Sequence, residues 1–148
     1  MTIYLDADAC PVKEETYKVA GRFGARVVVV ANAPIAVPRA DFIKRVVVPA
    51  GPDVADDWIA ERAGPGDVVV TADVPLADRC VKAGAAVLAP NGRAWTPANI
   101  GAALATRNLL HDLRGAGLDT RGPPPFSPRD RSAFLSALDL ALTRLRPK

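Results

Sequence analysis

Apolar residues occur along this chain in short unbroken runs, with longer stretches of mixed polarity between them. Residues 27–30, for example, are consecutive valines. Unbroken runs of β-branched residues are typical of strands that are buried on both faces of a sheet. The stretches between the runs place apolar residues at helical spacing and carry residues that start or stop helices. This alternation predicts an α/β fold class: a three-layer α/β/α domain with a mainly parallel sheet of about five strands.

The pattern also gives approximate bounds for the elements. Strands are predicted at residues 2–7, 25–32, 45–51, 66–73 and 85–90. Helices are predicted at residues 11–24, 53–64, 74–85, 96–117 and 127–148. The proline-rich connection at 118–126 is too short to separate two domains. We therefore expect residues 1–148 to form a single domain, with 127–148 as a C-terminal helix that packs on it.

Composition narrows the class of protein. The chain has 148 residues, of which 49% are hydrophobic and 24% are charged, as in an ordinary soluble globular domain. No signal peptide is visible, and no apolar run approaches the ~18 residues that span a bilayer. Cys10 and Cys80 lack the spacing of a zinc site. We expect a cytoplasmic protein without a membrane partner, and the sequence leaves a homodimer open.

Carboxylates follow three of the predicted strands at the points where those strands end. Asp6 and Asp8 follow the first strand, Asp73 follows the fourth, and the third is followed by Asp53, Asp56 and Asp57. Parallel strands bring their carboxyl ends to one edge of a sheet, where ligands of such folds bind. Three separate stretches therefore deliver acids to one place.

Carboxylates that lie together repel one another unless a cation compensates their charge. A hard divalent ion with oxygen ligands, Mg²⁺ or Mn²⁺, suits such a site and can act on a phosphodiester. We take Asp6, Asp8, Asp57 and Asp73 as the catalytic candidates, and count Asp56 with them as a metal ligand. The sequence does not decide which member of the Asp56–Asp57 pair faces the site.

Each acid also has a structural interpretation. Asp53 is expected to cap the helix that follows it, and Asp73 is a candidate cap for the next helix. Asp56 and Asp57 lie in a first helical turn, where negative charge favours the helix dipole. Asp6 is the hardest to explain in this way, because it ends an apolar strand and has no helix to cap.

Other residues near the same edge are candidates for substrate contacts. They are Lys13, Asn32, Thr71, Arg93, Arg129 and Arg131. Asn32 is equally well read as a turn residue, and the two later arginines as part of a capped helix start. His111 is the single histidine, which argues against histidine catalysis and histidine-bound zinc.

Four stretches of the chain together resemble the YaiI/YqxD family of uncharacterised bacterial proteins. They are "DADACPVK", "VPAGPDVADDWIAERAGPGDVVVTADVPLADRC", "NGR" and "PFSPRDRSAFLSALD". That family is similar in turn to the PIN-like nuclease superfamily, which includes NYN-type domains. The wider resemblance implies a parallel sheet with an acidic site that binds Mg²⁺ or Mn²⁺ and cleaves RNA or structured nucleic acid. Asp6, Asp57 or Asp56, and Asp73 match the positions of the PIN-like acids, and Asp8 fits as an additional ligand.

These observations lead to a metal-dependent nuclease, with RNA as the expected substrate, and leave two alternatives. The "DADAC" stretch also resembles the start of haloacid-dehalogenase-type phosphatases, in which the first Asp is a nucleophile. No matching later lysine motif is evident, and the chain is short for that fold. The other alternative is an RNA-binding or regulatory module without catalysis, which would bind weakly through its arginines in a salt-sensitive way.

Overall fold

The computed structural model describes residues 1–8, 10–51, 53–115 and 126–145, with side chains at 107–115 excepted. Most of the predicted connection at 118–126 and the side chain of His111 therefore lie outside the described residues. Within them, no helix is long and apolar enough to cross a membrane.

The strands form one six-stranded sheet in the order β3-β2-β1-β4-β5-β6. They are β1 (Thr2–Asp6), β2 (Arg26–Ala31), β3 (Ile43–Val47), β4 (Asp67–Val70), β5 (Ala86–Leu88) and β6 (Ala94–Trp95). Strands β1 to β5 pair in parallel, and β6 alone is antiparallel. The predicted fold class and mainly parallel sheet are confirmed, and β1 lies in the middle, between β2 and β4.

The described residues contain α1 (Lys13–Phe23), α2 (Val54–Ala60), α3 (Val74–Lys82), α4 (Pro97–Gly115) and α5 (Pro128–Leu145). Several bounds differ from the prediction, and β3, β4 and α3 end three to four residues early, at Val47, Val70 and Lys82. Strand β3 begins at Ile43, two residues before its predicted start, because Val27 of β2 already donates its N–H to the carbonyl of Phe42. Helix α2 ends at Ala60, since Arg62 and Ala63 both donate to the carbonyl of Ile59 and the chain then turns at Gly64.

Side chains alternate between the two faces of the sheet, and helices cover both faces. Ile3, Val27 and Val68 pack with α1 and with the buried α5 residues Phe134, Leu138 and Leu142. The second face carries Tyr4, Val28, Val46 and Val69, which pack with α2, α3 and Ile100 of α4. The two hydrophobic cores give the three layers that the strand–helix alternation predicts.

Helices α1 and α5 run in the same direction on the first face. Arg131, in the first turn of α5, forms an ion pair with Glu15 in the first turn of α1. Further along both helices, Asp139 lies 3.6 Å from Arg22. Both helices therefore begin at the edge of the sheet where the parallel strands end.

A glycine fixes the turn after β5 against α5. Gly92 has a φ of +91°, and a Cβ at this position would lie 2.6 Å from the carbonyl carbon of Ala133. Only glycine fits this close backbone approach without displacing α5. Gly101 of α4 offers a contrast, because nothing lies within 4 Å of the Cβ position there.

We predict that Gly92→Ala lowers the free energy of unfolding by about 2–3 kcal/mol, because strain at positive φ adds to a backbone clash. Gly101→Ala is the matched control, and it should raise the stability by about 0.5–1 kcal/mol as an alanine in a helix. Urea denaturation of both variants measures the difference. Equal stability of Gly92→Ala and wild type would contradict the packing described here.

Candidate active site

Asp6 is the last residue of the central strand β1, and its carboxylate is held by a neighbouring strand end. The Thr71 hydroxyl donates to Asp6 Oδ2 at 2.8 Å. Thr71 follows β4 directly and is only 1% exposed. The same Thr71 oxygen accepts the backbone N–H of Asp73 at 3.0 Å. One buried hydroxyl thus joins the two strand ends that the sequence predicts to lie side by side.

Asp73 stands at the N-cap of α3 and caps it. Its Oδ1 accepts the backbone N–H of Leu76 at 2.9 Å, so the capping interpretation of Asp73 is confirmed. Capping does not remove the carboxylate from the site, because its charge still acts on both Asp6 and Asp56.

Asp56 and Asp57 have different surroundings although they are neighbours in the chain. Asp57 Oδ1 accepts from Arg79 Nη1 at 2.6 Å, and both side chains are about half exposed. Asp56 lies close enough to Asp73 and Asp6 for their charges to act on it. The structure therefore groups Asp56 with the other acids and pairs Asp57, the member chosen as catalytic from the sequence, with an arginine.

Asp8 lies beyond the end of β1 and is exposed. Its Oδ2 accepts the backbone N–H of Asn32, which follows β2, at 3.2 Å. Asn32 therefore contacts the predicted site residues through its backbone N–H, and the residue is exposed. Asp6, Asp8, Asp56 and Asp73 are called the acidic cluster below.

The expectation that Asp53 caps α2 is wrong. Asp53 occupies the N-cap position, but its side chain makes no capping hydrogen bond. Its φ of +63° is left-handed, and it is the only described residue other than glycine with a positive φ. Such backbone strain in a non-glycine residue occurs preferentially at functional sites. Its charge contributes to the field that acts on Asp56.

The electrostatics of the cluster are unfavourable for two of its members. Burial, followed by the charges of Asp8 and Asp73, raises the pKa of Asp6, and the Thr71 hydrogen bond opposes that rise. Burial and the charges of Asp73, Asp6 and Asp53 raise the pKa of Asp56 to about 6, against the smaller opposing effect of Arg79. Burial is the larger cause of both shifts, and a cation at this edge would relieve the part that comes from repulsion.

The donor set matches a hard divalent ion. All four members of the cluster offer carboxylate oxygens, the ligands that Mg²⁺ and Mn²⁺ prefer. Within the described ranges, no three His, Cys, Asp or Glu side chains already surround one point as metal ligands do. Mg²⁺ does not require such a cage, since it usually keeps several waters and takes only one or two carboxylates. The residues present fit this ion by their chemistry.

The predicted basic contacts differ in how they are held. Lys13 Nζ donates to the carbonyl of Cys10 at 2.9 Å, which keeps the ammonium at the start of α1. The guanidinium of Arg93 lies 4.7 Å from the ring centre of Trp95, in the turn that contacts α5. Both residues follow strands that end at the carboxyl edge of the sheet.

The start of α5 is a capped helix in which one of its two arginines is engaged. Ser127 Oγ accepts the N–H of Asp130, and Asp130 Oδ2 accepts the N–H of Ser127. Arg131 is paired with Glu15 and lies over the ring of Phe126. Arg129 is exposed. The structure thus gives Arg131 a role in fixing α5 against α1, although both arginines are exposed.

Arg79 is the residue of this region that the sequence analysis did not single out. It lies on α3, one turn beyond the segment capped by Asp73, and pairs with a residue of α2. No spacing rule links positions 57 and 79, because their contact arises only when α2 and α3 pack side by side. The pairing distinguishes Asp57 from Asp56, on which the charges of Asp73 and Asp6 act.

Comparison with known proteins places the chain among bacterial relatives. Residues 4–144 match the model of the family described as uncharacterised BCR, YaiI/YqxD. A UPF0178 protein of Azorhizobium caulinodans is 72% identical over 99% of this chain and 92% of its own length. Another from Rhodopseudomonas palustris strain BisB18 is 65% identical over 97% of this chain and 93% of its own length. No solved structure matches.

The raised pKa of Asp56 leads to a stability prediction with a matched pair of variants. The folded protein binds this proton more tightly than the unfolded chain, so stability falls as the pH rises from 3.8 to about 6. Asp56→Asn should therefore stabilise the protein at neutral pH by about 1 kcal/mol, after allowance for solvent screening. Asp57→Asn loses an exposed ion pair and should destabilise it by less than about 1 kcal/mol.

Urea unfolding in EDTA, at neutral pH and again below pH 3.8, measures both effects. The gain from Asp56→Asn should disappear at the acidic pH, where the carboxyl is protonated in both states. A gain that is equal at both pH values, or a loss at neutral pH, would show that Asp56 is not under repulsion from the cluster.

Proposed function

The chain belongs to the YaiI/YqxD family of uncharacterised bacterial proteins, and from its own acidic cluster we propose that it is a metal-dependent nuclease that hydrolyses RNA. The relatives' names state no activity. One observation carries the proposal: at the carboxyl edge of a parallel sheet, the Thr71 hydroxyl joins the Asp6 carboxylate to the backbone of Asp73, and the charges of both acids act on Asp56. This is the part of the fold where ligands bind.

The mutual repulsion makes a purely structural role a poor account of the cluster. A helix cap explains Asp73, but nothing in the packing of β1 requires a carboxylate at Asp6, which is partly buried at the end of an apolar strand. Proteins keep residues in such costly positions where function demands them. Raised pKa values, as at Asp6 and Asp56, are expected of metal-binding carboxylates when no cation is bound.

Asp6, Asp56 and Asp73 would hold the ion, with Asp8 as an additional ligand. The described hydrogen bonds use Oδ2 of Asp6 and Oδ1 of Asp73. Among the described residues, no hydrogen bond uses the second oxygen of either carboxylate, and that oxygen would face the ion. When bound, Mg²⁺ or Mn²⁺ would supply charge neutralisation at the phosphate and make a water more acidic.

The protein's own groups would position the substrate. Thr71 orients Asp6 and Asp73 together and is too buried to contact RNA directly, so we assign it to positioning. Lys13, Arg93 and Arg129 would contact phosphates, while Arg131 is retained by Glu15. Asn32 would act by fixing Asp8 through its backbone N–H. The placement among PIN-like nucleases, with RNA as partner, is part of the same proposal.

The test is cleavage of labelled single-stranded RNA with Mn²⁺ or Mg²⁺ by wild type, Asp6→Asn, Asp73→Asn and Asp57→Asn. Asparagine keeps an acceptor for Thr71 at position 6 and caps helices well at position 73, so these variants remove charge while keeping the hydrogen bonds. Activity should fall in the first two by more than the ~10–100-fold typical of losing an outer-shell partner. Asp57→Asn should stay close to wild type.

Cleavage that survives in Asp6→Asn, or that persists in EDTA, would overturn the proposal. RNA binding by wild type without turnover on any RNA or DNA would instead identify a module that binds without catalysis. If Asp57→Asn loses as much activity as Asp6→Asn, Asp57 is a metal ligand, and the assignment of Asp56 to that role is wrong.

A further inference from the structure

A second feature lies on the same face of the sheet as the acidic cluster, towards the opposite ends of the strands. It is an open groove of about 560 Å³ between β1, β2 and β3 and the end of α2. Helix α2 has only seven residues, so it leaves this part of the sheet uncovered. Tyr4, Arg26, Lys44, Trp58 and Arg62 are among the residues that line it, and together they are called the basic groove here.

The lining combines positive charge with aromatic rings. Three cations face it, with Asp41 as the one carboxylate among the lining residues. Glu61 lies 3.6 Å from Arg62, and Asp67, whose charge acts on Tyr4, accepts the N–H of Gly64. Arg26 and Lys44 are exposed on strands. The groove therefore favours an anion, but with a modest and salt-sensitive attraction.

The rings are arranged to carry a flat ligand. The Arg62 guanidinium lies 4.0 Å from the ring centre of Trp58, and its Nη1 also donates to the Trp58 carbonyl. Tyr4 meets Trp58 edge to face with 6.1 Å between ring centres. With one side of the guanidinium against the tryptophan ring, the opposite side is available to a flat ligand. Unstacked RNA bases stack on arginine planes in this way.

The groove and the acidic cluster are neighbours along two elements of the fold. Tyr4 and Asp6 lie on one face of β1, two residues or about 7 Å apart. Helix α2 spans a similar distance, because Asp56 is in its first turn and Arg62 lies two residues beyond its last residue, about 9 Å further along. Residues of the two features are therefore only about 7–9 Å apart along β1 and α2.

We propose that the basic groove binds the single-stranded RNA that flanks the phosphate held at the acidic cluster, with a base on Arg62 and phosphates at Arg26 and Lys44. This inference rests on the proposed function, and it adds the position of the RNA on either side of the bound phosphate. An acidic peptide would pair with the basic side chains of the groove, but it would place no flat group on the guanidinium of Arg62. Single-stranded RNA satisfies both.

Fluorescence tests the groove independently of catalysis. The chain has two tryptophans, so Trp95→Phe leaves Trp58 as the only indole, in the groove itself. This variant is titrated in EDTA with single-stranded oligouridylate, and with polyglutamate as an anion without bases. Saturable quenching by the RNA, much weaker with polyglutamate, is expected.

Two lysines provide a matched comparison in the same background. Lys44→Ala removes a groove cation, and Lys18→Ala removes an exposed lysine from α1 on the other face of the sheet. Lys44→Ala should weaken RNA binding severalfold and reduce the slope of log K against log salt by about 0.7. Lys18→Ala should change neither quantity.

Each outcome separates the groove from the proposed nuclease. RNA that is cleaved without quenching of Trp58, or equal effects of the two lysine variants, would overturn the groove and leave the nuclease standing. Quenching by polyglutamate as strong as that by RNA would also overturn it. Specific quenching in a protein that cleaves no RNA would support the groove while the proposed function fails.

Discussion

The repulsion among carboxylates at the end of the central strand is the constraint on which this site depends. Parallel pairing of β1 with β4 fixes Asp6 beside Thr71 and, through it, beside Asp73. The sheet cannot separate these groups without losing its register. The fold therefore holds charges together that would move apart in water, and burial together with this repulsion raises the pKa values of Asp6 and Asp56.

Arg79 limits how far that repulsion extends. It pairs with Asp57, and it also partly offsets the charges of Asp73 and Asp6 at Asp56, the residue that α2 contributes to the cluster. The backbone strain at Asp53 sets the start of the same helix. The short α2 then has two consequences on one face of the sheet: its first turn completes the acidic cluster, and its early end opens the basic groove. Both features of the proposed RNA path follow from the position and length of one helix.

Sequence patterns predicted the features that depend on local chemistry. Runs such as the valines of β2 indicated a buried parallel sheet, and the acids after β1 and β4 were expected at its carboxyl edge. The two-residue β6 was missed, because it is too short for any period to show. The choice between Asp56 and Asp57 was not accessible either, since the pairing of Asp57 with Arg79 of another helix exists only in the folded chain. The wrong cap at Asp53 has a similar origin, because its left-handed backbone leaves no mark on the sequence.

The most direct test of the account is whether the cluster binds a divalent cation as one site. Calorimetric titration of Mn²⁺ into wild type, Asp57→Asn and the double variant Asp6→Asn/Asp73→Asn compares the relevant states without any need for a substrate. The account predicts saturable binding to wild type and to Asp57→Asn that is lost in the double variant. Equal binding by all three proteins, or none by wild type with or without RNA, would show that these acids do not form a metal site.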